Sequence, residues 1–328
     1  MNLAAAPHVI VAGGGPGGLS LASLLRAGGA VVTLVDENPA GVVNEARRAS
    51  VVVNREAWDV LRRVGGADAL EDPLNVVNAT QQQISLRRLD TDLGTHAAAA
   101  GVDILRGRRV ESVEELGGKG VLVGTHDAVT GARTTLQGDL FVDAAAGRSP
   151  LAADARFARV DARGPRDLHG TATRSFIGVR VAADPARGVG WTGERGSFAI
   201  NNRTEGVATA YRGMADTPTM AQARAQATQL LRDLKLEAGA QTPQPFVVTT
   251  RQSIAPHAAA GRLLLVGDSV GSMFPSEQMG TSLALTDAER AADTILTAHR
   301  AGLDTPEAAA LIERYDTDTT MIHRAFIR

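Results

Sequence analysis

Residues 8–27, HVIVAGGGPGGLSLASLLRA, constrain the fold more than any other stretch. His8 to Ala12 is an apolar run of buried-strand length, and Leu19 to Ala27 carries helical spacing. Between them Gly13, Gly15 and Gly18 stand in the order GxGxxG, with Pro16 and Gly17 inside the motif. A second strand, Val31 to Val35, follows and ends at Asp36, so about 30 residues form one βαβ unit. In that context each glycine serves a separate purpose. Gly13 permits a tight turn, Gly15 admits a pyrophosphate close to the backbone, and Gly18 lets helix and strand pack. The helix N-terminus offers unpaired N–H groups and partial positive charge to phosphates. Asp36, followed by Glu37, is placed to accept from the ribose hydroxyls of an adenosine. A carboxylate there disfavours a 2′-phosphate but does not separate NAD from FAD.

Composition narrows the class. The 328 residues are 44% hydrophobic and 21% charged, with a formal net charge of −2. These values predict a globular chain with no bias toward nucleic acid or membrane partners. Cysteine is absent, which excludes disulfides, thiolate metal sites and cysteine nucleophiles. No histidine–carboxylate spacing suggests a metal. The N-terminus lacks a basic n-region and a separate apolar h-region, so the expectation is a cytoplasmic protein. Lys119 and Lys235 are the only lysines.

Further along, Arg55–Val64 and Leu89–Ala100 read as helices, and strands are predicted near 102–107, 109–115, 120–127 and 134–145. From 166 to 249 the alternating stretches SFIGVRVAA, GSFAINN, GVATAYRG and PFVVTTRQSI predict an antiparallel sheet, with one helix, MAQARAQATQLLRDLKL, among them. The chain closes with a strand, a loop, the helix Thr281–His299 and a charged helical tail from Thr305, whose charges read as a solvated face.

The closing segment GRLLLVGDSVGSMFPSEQMG, residues 261–280, delivers Asp268 to the tip of an apolar strand. A loop containing Pro275 then leads to a helix that begins near Gly280 and Thr281. With the first motif, this segment resembles the class A FAD-dependent monooxygenases, the para-hydroxybenzoate hydroxylase-like flavoproteins. Their late motif, roughly GD(A/S)xxxxxPxxxxG, is matched by Gly267, Asp268, Ser269, Pro275 and Gly280. The resemblance covers most of the chain. It implies an α/β architecture: a Rossmann-like FAD-binding domain (1–65, 84–165 and 250–328) with an inserted antiparallel-sheet substrate domain (66–83 and 166–249) and a shortened C-terminus.

The resemblance also implies roles. Asp268 would bind the ribityl chain. Pro275, the one residue it implicates in catalysis, would shape the loop beside flavin and substrate. Gly280 and Thr281 would face the pyrimidine end of the ring. Arg48, or alternatively Arg47, and Arg87, or alternatively Arg88, match arginines that hold the cofactor. The implied function is hydroxylation or epoxidation of a small organic, secondary-metabolite type substrate with O2, through a flavin C4a-hydroperoxide. Candidate pocket walls are Phe176, Trp191, Phe198, Tyr211, Met273 and Phe274; no charged clamp is visible.

One segment departs from the family. Where an Asp-Gly pair is usual, VDAAAGRSPL (142–151) has Ala145-Ala146, closer to the DATGRxS form of flavin-dependent halogenases and geranylgeranyl-reductase-like proteins. Direct use of NADH or NADPH, or electrons from a separate flavin reductase, both stay open. So do a homodimer and, as the alternative function, double-bond reduction, cyclisation or halogenation. For halogenation, neither lysine sits in a suitable context and Trp191 stands alone.

Overall fold

The computed structural model describes residues 5–39, 50–65, 76–78, 80–161, 173–182, 190–194, 197–202, 206–214, 216–236, 243–273 and 279–327. Arg48, Phe274, Pro275 and the side chain of Trp191 lie outside the described residues.

The apolar run and the glycine motif form strand β1 (His8–Ala12) and helix α1 (Pro16–Ala27), which leads to β2 (Val31–Asp36). These strands share a six-stranded sheet with β6 (Asp103–Arg106), β10 (Leu140–Asp143), β18 (Ala259–Ala260) and β19 (Leu263–Leu265). The strand order is β18-β19-β10-β1-β2-β6, and all pairs are parallel except β18 with β19. That order brings β1 and β19 to either side of β10, so the strands carrying the two motifs end near each other at one sheet edge. Val9, Ile10 and Val11 are fully buried, each stabilising the fold by about 1.5–3 kcal/mol. Two long helices complete this layer, α5 (Gly280–Ala301) and α6 (Pro306–Ile327), with α5 packed on α1.

A five-stranded antiparallel sheet is built from β12 (Thr173–Ala182), β13 (Gly190–Thr192), β14 (Ser197–Asn202), β15 (Val207–Met214) and β16 (Pro245–Arg251), in the order β13-β14-β15-β12-β16. Its two faces differ. Ile177, Val179, Ala199 and Ala210 pack on Ala223, Ala227, Leu230 and Leu231 of α4 (Met220–Asp233). Phe176, Phe198, Tyr211 and Phe246 cluster with Ile200 on the other face.

Three small sheets fill the junctions: β7 (Arg108–Glu115), β8 (Val121–Asp127) and β9 (Arg133–Gly138); β11 (Val160–Asp161), β17 (Ser253–Ile254) and β20 (Gly271–Ser272); and β3 (Ser50–Asn54), β5 (Gln81–Ser85) and β4 (Val76–Asn78). Helices α2 (Arg55–Arg63) and α3 (Leu86–Ala99) follow β3 and β5. Among the described residues no helix is long and apolar enough to cross a membrane.

Three expectations change. The run 134–145 is two strands in different sheets, because the chain leaves β9 at Gly138 and Asp139 accepts from the His8 N–H before β10 begins. The β3–β5–β4 sheet has no counterpart in the sequence pattern, and the expected boundary at 83/84 falls inside β5. In the tail, Asp316 is not a solvated charge: its Oδ1 accepts from the N–H groups of Ala258 and Ala259, and its Oδ2 lies 2.9 Å from His257 Nδ1.

Candidate functional site

A cavity of about 1240 Å³ opens where the parallel sheet meets the antiparallel one, larger than the roughly 300–1,000 Å³ typical of small-molecule pockets. Gly13 through Gly17 line one part, Asp268, Gly280 and Thr281 another, and Ile200, Tyr211, Phe246 and Arg180 the sheet wall.

The first motif is built as its glycines require. Gly13 has φ +104°, and a Cβ there would stand 2.4 Å from the Ala144 carbonyl oxygen. A Cβ on Gly18 would meet the Gly13 carbonyl oxygen at 1.9 Å, which is why Gly18 packs the motif rather than lining the cavity. At Gly14 a Cβ would lie 2.3 Å from Asp36 Oδ2, a side-chain contact that displaces the carboxylate rather than the backbone.

Helix capping sets α1 and α5 apart: α3 also begins at the cavity, at Leu86, but Ser85 caps it. Asn54, Ser85, Thr219 and Thr305 cap α2, α3, α4 and α6 with their side chains. Gly15 before α1 and Met279 before α5 make no side-chain cap. Both of these helices begin at the cavity wall. The first-turn N–H groups have no intrahelical partner, so two sets of donors and two positive dipole ends bear on one cavity.

Asp268 opens onto the cavity, while protein packed around its turn raises its carboxyl pKa by desolvation; Arg159 and His323 pull it down and Asp287 pushes it up. Behind it a buried hub joins the late motif to the 142–151 segment. Asp143 accepts from Ser149 Oγ, from Ser269 Oγ at 2.9 Å and from the Ala145 N–H at 2.9 Å. Burial raises the pKa of Asp143, against these bonds and Arg159. Arg159 donates to the carbonyls of Ala146, at 3.0 Å, and Asp268. Asp143 is therefore more than a strand end.

Ala146 holds φ +58°, with its N–H donating to Ser269 Oγ at 2.9 Å. The position where the resembled family has glycine keeps a left-handed backbone here, at a cost of about 1–2 kcal/mol for a residue with a Cβ. Ala146→Gly therefore raises stability by about 1 kcal/mol and the melting temperature by about 1–3 °C. Thermal unfolding of the two proteins checks this, and a lower melting temperature for the glycine variant contradicts it.

At the far end, Asp36 is buried and engaged by Arg106 and by Asn38, whose side-chain amide donates at 2.9 Å. Glu37 pairs with Arg148. The two carboxylates expected to face an adenosine thus have protein partners that spacing did not reveal. Arg87 is exposed on α3 and does not line the cavity, nor does Arg88. Leu86 and Asp90 of that helix do, along with Arg108, Arg109 and Arg148 from other elements.

Of the pocket candidates, Tyr211 and Met273 line the cavity. Phe176 and Phe198 do not, although they share that face of the sheet; Phe198 lies beside Tyr211 and stacks on it at 5.0 Å between centroids. Phe246, missed from sequence, takes their place, with its ring edge-on to Tyr211. The bare backbone of Gly178 makes room for it: a Cβ there would be 2.2 Å from the ring. Arg180 lies 5.0 Å from the Phe246 centroid, so the wall does carry a charge.

Comparison with known proteins agrees with this geometry. A family model described as an FAD binding domain matches residues 7–83 and 72–328. No curated protein sequence matches significantly. Among solved structures, the fold is similar to p-nitrophenol 4-monooxygenase PnpA from Pseudomonas putida DLL-E4 (TM-score 0.79, 17% identity, 98% of this chain and 86% of that one). It is also similar to OxyS anhydrotetracycline hydroxylase from Streptomyces rimosus (0.75, 19%, 98% and 67%) and to CmlS, a flavin-dependent halogenase (0.78, 17%, 98% and 63%). The chain thus spans about two thirds of the length of two of these and most of the third.

Proposed function

Because this chain belongs to the FAD-binding domain family, we propose that it is an FAD-dependent monooxygenase acting on a flat aromatic substrate. The observation that carries the reading is one shared cavity. Two uncapped helix N-termini and Asp268 line one portion of it, and an aromatic sheet wall lines another.

The residues fit the cofactor. The Gly13–Gly17 turn and the α1 N-terminus would hold the pyrophosphate, Asp36 and Glu37 the adenosine ribose, and Asp268 the ribityl hydroxyls. The α5 N-terminus at Gly280 and Thr281 would face the ring and favour negative charge on it. When bound and reduced, the flavin supplies the activation of dioxygen. The protein's own part is to bind, to orient and to exclude water. Tyr211, Phe246 and Ile200 offer a face on which an aromatic ring can lie, and Arg180 favours a phenol or acid substituent near the wall. The monooxygenase and hydroxylase activities of PnpA and OxyS agree with this reading. Neither Lys119 nor Lys235 lines the cavity, which sets the reading apart from lysine-dependent halogenation.

We assign residues 1–65, 84–165 and 250–328 to the cofactor and 66–83 and 166–249 to the substrate, with β5 as the shared seam. The test is anaerobic. FAD-loaded protein is mixed with NADH or NADPH, with and without phenolic candidates, and oxygen is then admitted. Flavin bleaching followed by oxygen consumption matched to hydroxylated product is the expected result. If NADH and NADPH both fail, an added flavin reductase supplies the electrons. Oxygen uptake with no oxygenated product, whatever the electron source and across the phenolic set, contradicts the monooxygenase reading.

A further inference from the structure

A polar cluster lies behind the Gly267-Asp268 turn, away from the cavity. Asp287 on α5 and His323 on α6 are both 0% exposed. Asp287 Oδ2 accepts from the Gly267 N–H at 2.9 Å and stands 2.7 Å from His323 Nε2, while Oδ1 accepts from Arg290. His323 Nδ1 is buried with no hydrogen-bond partner. Asp287 Oδ2 already accepts from the Gly267 N–H and is a carboxylate oxygen, so the short contact to His323 Nε2 requires a proton on that nitrogen. His323 therefore acts as a donor that holds one oxygen of Asp287 on the Gly267 backbone.

The turn needs that support. Gly267 has φ +62°, and a Cβ there would lie 2.7 Å from the Ala284 Cβ, so the peptide is pressed against α5. Helix α6 grips the same strand again, through the Tyr315 hydroxyl donating to the Leu265 carbonyl at 2.6 Å. Neither Asp287 nor His323 lines the cavity.

We propose that His323 is a positioning residue for the cofactor. Its Nε2–H fixes Asp287 on Gly267 and so sets the direction in which Asp268 presents its carboxylate. The inference rests on the FAD reading above. It requires the donor specifically, not merely a side chain that fills the space.

The test compares FAD affinity, by titration of flavin fluorescence, with the melting temperature of the FAD-free protein. His323→Gln keeps an amide donor near the Nε2 position, and His323→Leu fills the space without one. The glutamine variant is expected to bind FAD within about 3-fold of wild type and the leucine variant about 10-fold or more weaker, the scale of one charge-assisted hydrogen bond. If the leucine variant fails to fold, His323→Asn replaces it: its shorter amide falls short of Asp287, and the same loss is expected. A leucine or asparagine variant that binds FAD as wild type does overturns the proposal. So does a glutamine variant as weak as the leucine one, because shape rather than the donor would then matter. Folded wild-type protein that takes up no FAD overturns the cofactor reading itself, a separate outcome.

Discussion

Gly13→Ala loses FAD binding by about 100-fold or more and lowers stability by about 2–4 kcal/mol. Two causes add. The residue sits at φ +104°, which a side chain tolerates poorly, and its Cβ would stand 2.4 Å from the Ala144 carbonyl oxygen. That oxygen belongs to backbone, so relief requires the glycine turn or the 144–148 turn to move, and both line the cavity. Gly29→Ala is the control. Gly29 has φ +90°, but a Cβ there would meet nothing within 4 Å, and it lies at the opposite end of α1. It carries the strain without the clash, so it is expected to cost about 1–2 kcal/mol in thermal unfolding and leave FAD affinity unchanged. Equal FAD affinity for Gly13→Ala and wild type would separate the glycine turn from the cofactor.

Asp268→Asn shows the opposite relation between binding and stability. Removing the ionised acceptor weakens FAD binding by about 10–100-fold, the scale of a charge-assisted hydrogen bond. The FAD-free protein, by contrast, becomes more stable. Desolvation raises the Asp268 pKa in the folded state above its unfolded value of about 3.9. A carboxyl of that kind contributes stability that is fully present below about pH 3.9 and is lost as pH rises through the folded value. Asparagine does not ionise. The variant's advantage in melting temperature is therefore expected to be absent at low pH and to grow toward neutral pH. Melting curves across that range check the sign, and a variant less stable than wild type at neutral pH contradicts it.

What the sequence made legible was local. The glycine motif, the strand before it and the acid after it all lie within about 30 residues, and one βαβ unit joins them. Asp268 was readable because an apolar strand ends there and a helix follows. The omissions are long-range. Arg106 reaches Asp36 across 70 residues, and His323 reaches Asp287 across 36. Neither pairing leaves a periodic signal. Strand β5 reads QQQIS, yet Gln83 is buried, so alternation of polar and apolar residues could not mark it.

The pocket wall was half legible for a related reason. Phe176, Phe198, Tyr211 and Phe246 form one aromatic cluster, and composition identifies such residues but not which of them line the cavity. The pairing of β12 with β16 decides this for Phe246, because Gly178 stands opposite it and clears its ring a place. Similarly, the alanines at 145 and 146 read as a departure from an Asp-Gly pair, whereas the backbone at Ala146 keeps the glycine-like conformation through Ser269 and Arg159.

The central claim is that the cavity holds FAD, and calorimetric titration of the cofactor-free protein with FAD tests it most directly. The expected result is one FAD bound per chain with micromolar or tighter affinity, together with a rise in melting temperature that grows with FAD concentration. Folded protein that gives neither binding heat nor thermal protection at saturating FAD would contradict it.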